Sequence, residues 1–351
     1  MLSVNNSIDE ILLISRKKVK EKYTRKFFIL AFLFLLVIAC FILGCSVGPY
    51  NISFVDVIKT IFGGGDSSMR YTVIELRIPK LLLAILVGIG MGMSGVIMQN
   101  LLHNDLASPG TLGVSDGSSL FVTLYVALIA KKIDQPILLP ILALVGGVIS
   151  SLIIFALGTK RKQPISSTKL IMTGIAVAAA YSAVGTLLMF ILDQSQLDFL
   201  QRWQAGELWG TEWEYILILS IWLLFFGGIA FSRSNKMNAI ALGYDTATGL
   251  GISIKFEFLL LSFLAVAMSS ASVAFGGNFF FLGLIGPHIA RRLIGHDNRL
   301  VMPASCLTSA LIVMVSNILV SSVEIFANIP TGIFISILSV PYFLYLLLRS
   351  N

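Results

Sequence analysis

Few residues in this chain can do chemistry, and those that can are cations and amides rather than nucleophiles. A basic step, Arg77-Ile78-Pro79-Lys80, leads into 22 residues, Leu81 to Leu102, that carry no charge. Gln99 and Asn100 end that run, a breaker-rich turn with Pro109, Gly110 and Gly113 follows, and Asp116 comes just after it. Cations at the edge of an apolar run either pair with carboxylates of another molecule or snorkel to the lipid interface. Asp116 suits two roles, the cap of a helix or the lining of a cytoplasmic gate. The three histidines, His103, His288 and His296, fall near the ends of apolar runs. Capping and surface roles are commoner there than metal ligation. The chemistry on offer is recognition and packing, not bond making.

The sequence lacks G-x-x-x-x-G-K-[ST] and H-E-x-x-H, so no nucleotide cradle or zinc-protease pair is expected. Cys40, Cys45 and Cys306 all lie inside apolar runs and form no C-x-x-C pattern. No catalytic residue, resident metal or cofactor is predicted. Away from their ends, the apolar runs also hold almost no ionisable residues besides Asp116. Ion-coupled transporters bury acidic or histidine relays at mid-depth, so energy from a partner protein is favoured over that route. Coordination of Na⁺ by backbone carbonyls stays open. Met91, Met93 and Met98 read as packing residues.

The elements that must hold these groups are membrane helices. Of 351 residues, 56% are hydrophobic and 12% charged, with mean hydropathy +0.91. Soluble domains carry about 25% charged residues, so a soluble globule is excluded. Charge-poor runs predict an all-α, polytopic membrane protein of about ten spans: 27–47, 81–102, 111–130, 137–158, 169–192, 214–231, 256–277, 279–294, 300–322 and 331–348. Phe258 to Pro287 holds no charge at all, too long for one span and too short for two. Gly276-Gly277-Asn278 is the expected break, with a short or re-entrant helix after it. The small residues Gly88, Gly90, Gly92, Ser94 and Gly95 would let a second helix pack close.

Residues 1–26 form a basic segment with seven Lys and Arg between Arg16 and Lys26, and 27–351 form the transmembrane domain. With that basic segment inside, Lys and Arg divide 18 inside to 7 outside, which places both termini in the cytoplasm. The positive charge is therefore read as a lipid-facing anchor, not a nucleic-acid site. Ser53 and Asp56 suggest a capping box ahead of a short interfacial helix that ends at Gly63-Gly64-Gly65. Trp203, Trp209 and Trp213 read as a headgroup belt, with contact to an external partner as the alternative. Residues 81–113 and 258–291 echo each other, each a small-residue helix running into a Gly/Pro turn, and an inverted repeat is expected.

In four blocks, the chain resembles the permease subunits of type II ABC importers, the iron-siderophore, haem and cobalamin uptake family. The first block holds Arg77, Pro79, Lys80, Gly88, Ser94, Gly95, Gln99, Asn104, Leu106, Ala107, Pro109, Leu112, Gly113 and Gly117. Asp105 stands where that family carries proline, which predicts a looser turn. The second block is Ala241-Leu242-Gly243 through Ala247 to Leu250-Gly251. The third is Phe281-Leu282-Gly283-Leu284, Pro287-His288, Arg291 and Gly295-His296-Asp297-Asn298-Arg299, with Asn298 where histidine is usual. In the fourth, Ser316-Asn317, Ser321 and Asn328-Ile329-Pro330-Thr331-Gly332 replace a more charged pattern, and Ser339-Val340-Pro341-Tyr342-Phe343 keeps the proline and phenylalanine.

The resemblance implies a multi-pass protein of the bacterial cell membrane that works with a second permease copy or paralogue. It also implies two cytoplasmic ATPase subunits and an extracytoplasmic substrate-binding protein, moving ferric siderophore, haem or a corrinoid. Arg77 and Lys80 would then dock the binding protein. The family arginine at Ser321 is missing, so either weaker docking or the use of Arg202 or Lys59 instead is expected. Gly243, Ala247, Leu250 and Gly251 would form the coupling segment on the ATPase. The Gly88–Gly113 residues with Gly283, Pro287, His288 and Arg291 would build the pathway wall. The alternative is a self-sufficient secondary transporter with inverted repeats.

Overall fold

The computed structural model describes residues 2–48, 50–110, 113–129, 138–159, 166–326 and 329–349, with the backbone alone at 2–22, 346, 347 and 349. Leu112, Asn328, the basic residues at 131–132 and 160–162, and the side chains of Arg16 through Lys22 lie outside the described residues.

The described residues form helices and the turns between them. In chain order these are α1 (Leu2–Ser46), α2 (Phe54–Ile61), α3 (Ser67–Arg70), α4 (Ile78–Leu102), α5 (Val114–Leu128), α6 (Leu138–Gly158), α7 (Ser167–Met189) and α8 (Gln194–Gln204). They continue as α9 (Trp213–Ser232), α10 (Ser234–Ile240), α11 (Tyr244–Gly249), α12 (Ile254–Gly276), α13 (Leu282–Ile294), α14 (Asn298–Ser322) and α15 (Thr331–Arg349). Among the described residues, seven helical runs are long and apolar enough to cross a membrane, and α5 and α15 are shorter apolar helices. With α13 they account for the ten segments read from the sequence. The basic segment and the first span form one continuous helix, α1.

α4 is the axis of the fold. It packs against α14, α12, α13 and α9, and 72% of its most apolar window is buried. A Cβ on Gly88 would lie 2.4 Å from the Ala310 Cα of α14, and one on Gly95 would lie 1.9 Å from the Gly283 carbonyl oxygen of α13. No side chain fits at either crossing. The stripe of small residues is what allows backbone-to-backbone contact where apolar burial gives little drive.

Pro287 explains the second crossing. Inside α13 it removes the N–H that would bond the carbonyl four residues back. That carbonyl belongs to Gly283, the group Gly95 lies against. α13 has 13 residues, about 20 Å at 1.5 Å per residue, well short of a bilayer core of about 30 Å. The break before it falls at Gly276–Asn278, where Gly277 takes φ +81°, as the uncharged run predicts.

Three expectations change. The helix containing α4 does not begin at 81. It runs unbroken from Ser67 through a π-helical stretch, Tyr71–Arg77, so the Arg77-Pro79-Lys80 step sits within a helix. The wider turn accommodates Pro79, which would otherwise crowd the carbonyl of Glu75. Ser53 makes no side-chain cap bond to α2, so the capping box does not form. Asp56 instead pairs with Lys59 at 3.8 Å, while Phe54, Val55, Ile58 and Ile61 stay exposed on a helix suited to lie in an interface. The tryptophans do not form one belt. Trp203 is 1% exposed and Trp209 packs on Phe199 and Tyr215; Trp213 alone is exposed. Burying a large ring at the end of α8, which is started by an Asp193–Gln196 capping box, fixes that helix over the 276–278 break.

Candidate functional site

The first-block residues divide between the two ends of α4, about 37 Å apart for 25 residues at 1.5 Å each. At one end, a cavity of about 500 Å³ collects Arg77, Lys80, Arg202, Glu207, Asn317 and Ser321. These come from the head of α4, the end of α8 and the end of α14. Arg77 is engaged within it, since Nη1 donates to the Cys45 carbonyl at 2.8 Å and Nη2 donates to the Tyr50 carbonyl. Its guanidinium thus closes the end of α1. Arg202 lies 3.7 Å from Glu207. Ser321 adds no charge, and Lys80 and Arg202 are the other cations of this cavity. Lys59 does not line this cavity.

At the other end, the Asn104–Pro109 turn is tied rather than loose. Gln99 Nε2 donates to the Asp105 carbonyl at 2.8 Å and to the Leu284 carbonyl at 3.3 Å. The Leu106 N–H donates to Asn104 Oδ1 at 2.9 Å. Asp105, in the place of the usual proline, accepts from Arg291 Nη1 at 2.9 Å and joins the turn to α13. Ser108, Pro109 and Gly110 are buried, and Gly113 takes φ +73° before α5 starts. Irregular backbone of this kind is stable inside a bundle because protein surrounds it.

Asp105 is more than half exposed, so this ion pair is worth about 1 kcal/mol or less. A double-mutant cycle with Asp105→Asn and Arg291→Gln, read by thermal unfolding of the purified protein, should show non-additivity of about 0.5 kcal/mol or more. Additive effects would mean the two side chains act independently.

The second block lies beside this turn. α10 and α11 are short helices joined at Gly243, φ +109°, and Gly251 follows at φ +80°. Ala247 is buried, whereas Leu242 and Leu250 are 69% and 65% exposed. Tyr244 Oη donates to the Leu101 carbonyl at the end of α4. Its ring meets the edge of His103 at 4.8 Å between centroids, and His103 Nε2 lies 2.8 Å from the Ile240 carbonyl. Burial pushes the Tyr244 phenol up to about 12, so the donor stays protonated over any ordinary pH. His103 itself caps α4 with φ +46°.

Sequence reasoning missed several partners. Asn100 and Asn298 exchange two amide hydrogen bonds, 2.9 and 3.1 Å, while buried. Asn298, the departure from the usual histidine, is therefore half of a matched pair. Its N–H donates to Asn238 Oδ1, and Asn238 donates to Asp297. Asp297 is held well below the usual carboxylate range, first by its bonds from Arg299 and then by Asn238. Glu257, 2% exposed at the head of α12, accepts from Arg233 at 3.1 Å and from Lys236. A lone acid opening an apolar run, with two cations about 20 residues upstream, was the available signal. His288 packs edge-on against Tyr342 at 5.8 Å and lies within reach of the charges of Arg292, Asp105 and Arg291. Among the described residues, no three His, Cys, Asp or Glu side chains converge.

Comparison with known proteins places this geometry. A sequence profile described as the FecCD transport family matches residues 35–349. The chain is 32% identical to the iron(3+)-hydroxamate import system permease protein FhuG of Bacillus subtilis (strain 168), over 95% of this chain and 100% of that one. It is 33% identical to the Fe(3+)-citrate import system permease protein YfmE of the same organism, over 94% and 98%. To the hemin transport system permease protein HmuU of Yersinia pestis it is 32% identical, over 92% and 96%. Among solved structures, an inward-facing metal-chelate type ABC transporter superposes with TM-score 0.79 at 25% identity, covering 92% of this chain and 99% of that one.

Proposed function

The chain belongs to the FecCD transport family, and from that premise we propose that it is the permease subunit of a binding-protein-dependent importer that brings ferric siderophore into the cell. Haem and corrinoid are the other cargoes of the same reading. The chain makes no covalent chemistry; ATP hydrolysis belongs to two partner subunits. The Arg77 end faces outward and the His103 end faces the cytoplasm of a bacterial cell, with both termini inside. The charge split of Lys and Arg supports this orientation.

One observation carries the reading. A single buried helix, α4, has a cation-lined cavity at one end and hydrogen bonds at the other to two short helices, of which α11 is largely exposed. A binding protein at the first and an ATPase at the second would bias the same two packings. The second permease copy fits against α7. Only 17% of its most apolar window is buried, and beside Met172, Ile175, Val184 and Leu187 it exposes the small residues Ala179, Ala180, Ser182 and Ala183. α1 is equally uncovered but exposes Phe27, Phe28, Phe32 and Leu35. Large side chains suit lipid, and small ones suit a helix partner.

Reconstitution tests this. Proteoliposomes holding the permease and its ATPase subunits should accumulate radioiron siderophore when loaded binding protein is outside and ATP inside. Accumulation without the ATPase would instead establish a secondary transporter. Arg77 supports α1, so docking charge is better tested at Lys80→Glu with Arg202→Glu. We expect binding-protein affinity at low salt to fall at least about tenfold, as for other interfacial charge pairs, with the membrane complex still assembled. Unchanged affinity would remove both residues from the docking face.

A further inference from the structure

Apart from the two ends of α4, a third group of polar side chains meets beside the uncovered helix. A cavity of about 210 Å³ is lined by Asp116 and Ser119 of α5, Tyr181, Ser182 and Thr186 of α7, and Asn278 at the break between α12 and α13. Ser182 and Thr186 are exposed, so the cavity opens on the α7 face. Among the described residues, no Lys, Arg or His pairs with Asp116, and none lines the cavity. Asn278 Oδ1 is buried there without a hydrogen-bond donor. Asp116 and Asn278 thus line one space that supplies neither of them a cation.

An unpaired carboxylate within a membrane bundle is costly and is kept where it faces a cavity. The volume is below the roughly 300–1,000 Å³ of sites that enclose a drug-sized ligand. It suits one flank of a chelate, with the facing wall supplied across α7. We propose that Asp116 is a specificity-determining residue that selects cargo by charge. It favours ferric chelates that present ammonium, amide N–H or hydroxyl groups and are neutral or cationic, and it repels polyanionic ones. This rests on the permease reading above and narrows its substrate class.

The position of Asp116 in the first turn of α5 also favours that helix electrostatically. A purely helix-stabilising role would move stability but not charge preference, and the test separates the two. The permease–ATPase complex in lipid nanodiscs is dialysed against three radioiron chelates: a cationic trihydroxamate, a neutral trihydroxamate and a trianionic tricatecholate.

In the unmodified complex the cationic chelate should bind at least about tenfold tighter than the trianionic one, an energy within reach of one partly desolvated charge pair. Asp116→Asn should remove most of that preference and leave the neutral chelate within about threefold, less than the value of one charge. Thr186→Lys, on the α7 side of the same cavity, should also weaken cation binding, and keeps the proposal testable if the α5 variant fails to fold. Equal binding of cationic and trianionic chelates, an unchanged ratio in Asp116→Asn, or no binding of any chelate would overturn the filter. If ATP-driven import into proteoliposomes also fails for every chelate, the proposed function falls with it. Import that proceeds with an unaltered charge preference removes the filter alone.

Discussion

Gly95→Ala should abolish uptake. The added Cβ would stand 1.9 Å from the Gly283 carbonyl oxygen, a backbone atom that cannot rotate aside. α4 and α13 would have to separate, at a cost near or above the top of the ~1–3 kcal/mol usual for overpacking. The cost extends beyond sterics, because the Gly283 carbonyl has already lost its helical donor to Pro287 and relies on the close approach of α4. Gly228→Ala is the matched control, since nothing lies within 4 Å of a Cβ there. Melting of the detergent-purified protein and uptake in proteoliposomes report the two effects. If Gly95→Ala melts and transports like Gly228→Ala, the crossing is not as tight as described.

Tyr244→Ala should uncouple ATP hydrolysis from transport. It removes the donor to the Leu101 carbonyl, about 1 kcal/mol, and the ring edge against His103, about 0.5–1.5 kcal/mol. Together these approach 2 kcal/mol, or about thirtyfold in the equilibrium linking α11 to α4. Hydrolysis should continue while cargo imported per ATP falls at least about tenfold. Tyr244→Phe keeps the ring and should fall between the variant and the native protein. Because burial pushes the native phenol up to about 12, coupling in the native protein should not be lost through this group in the working pH range. A native cargo-to-ATP ratio in Tyr244→Ala would show that the clasp does not carry the coupling.

The sequence made the long apolar helices, the break at Gly276–Asn278 and the small-residue face of α4 legible, because lipid and close packing leave strong compositional marks. What it hid were partners. Asn100 and Asn298 stand 198 positions apart, and Asp105 and Arg291 stand 186 apart. Periodicity says which face a residue occupies, not what that face meets. Asp105 read as a lost proline and Asn298 as a lost histidine until their bonds were visible. Trp203 misled for another reason, since a ring at the end of an apolar run suits a headgroup belt and a buried joint equally well. The π-helical stretch before Pro79 had no sequence signal beyond the proline itself.

The contrast between α1 and α7 also bears on the life of an unassembled chain. α1 is the most apolar of the seven long helices and α7 the least. With the second copy seated at α7 as proposed above, a lone chain would present its least apolar long helix on that side. Such a copy would be held in the bilayer least firmly at α7, which makes that helix a built-in gauge of subunit stoichiometry. Surplus chains would be the first to expose it to membrane proteases, and pairing would hide it.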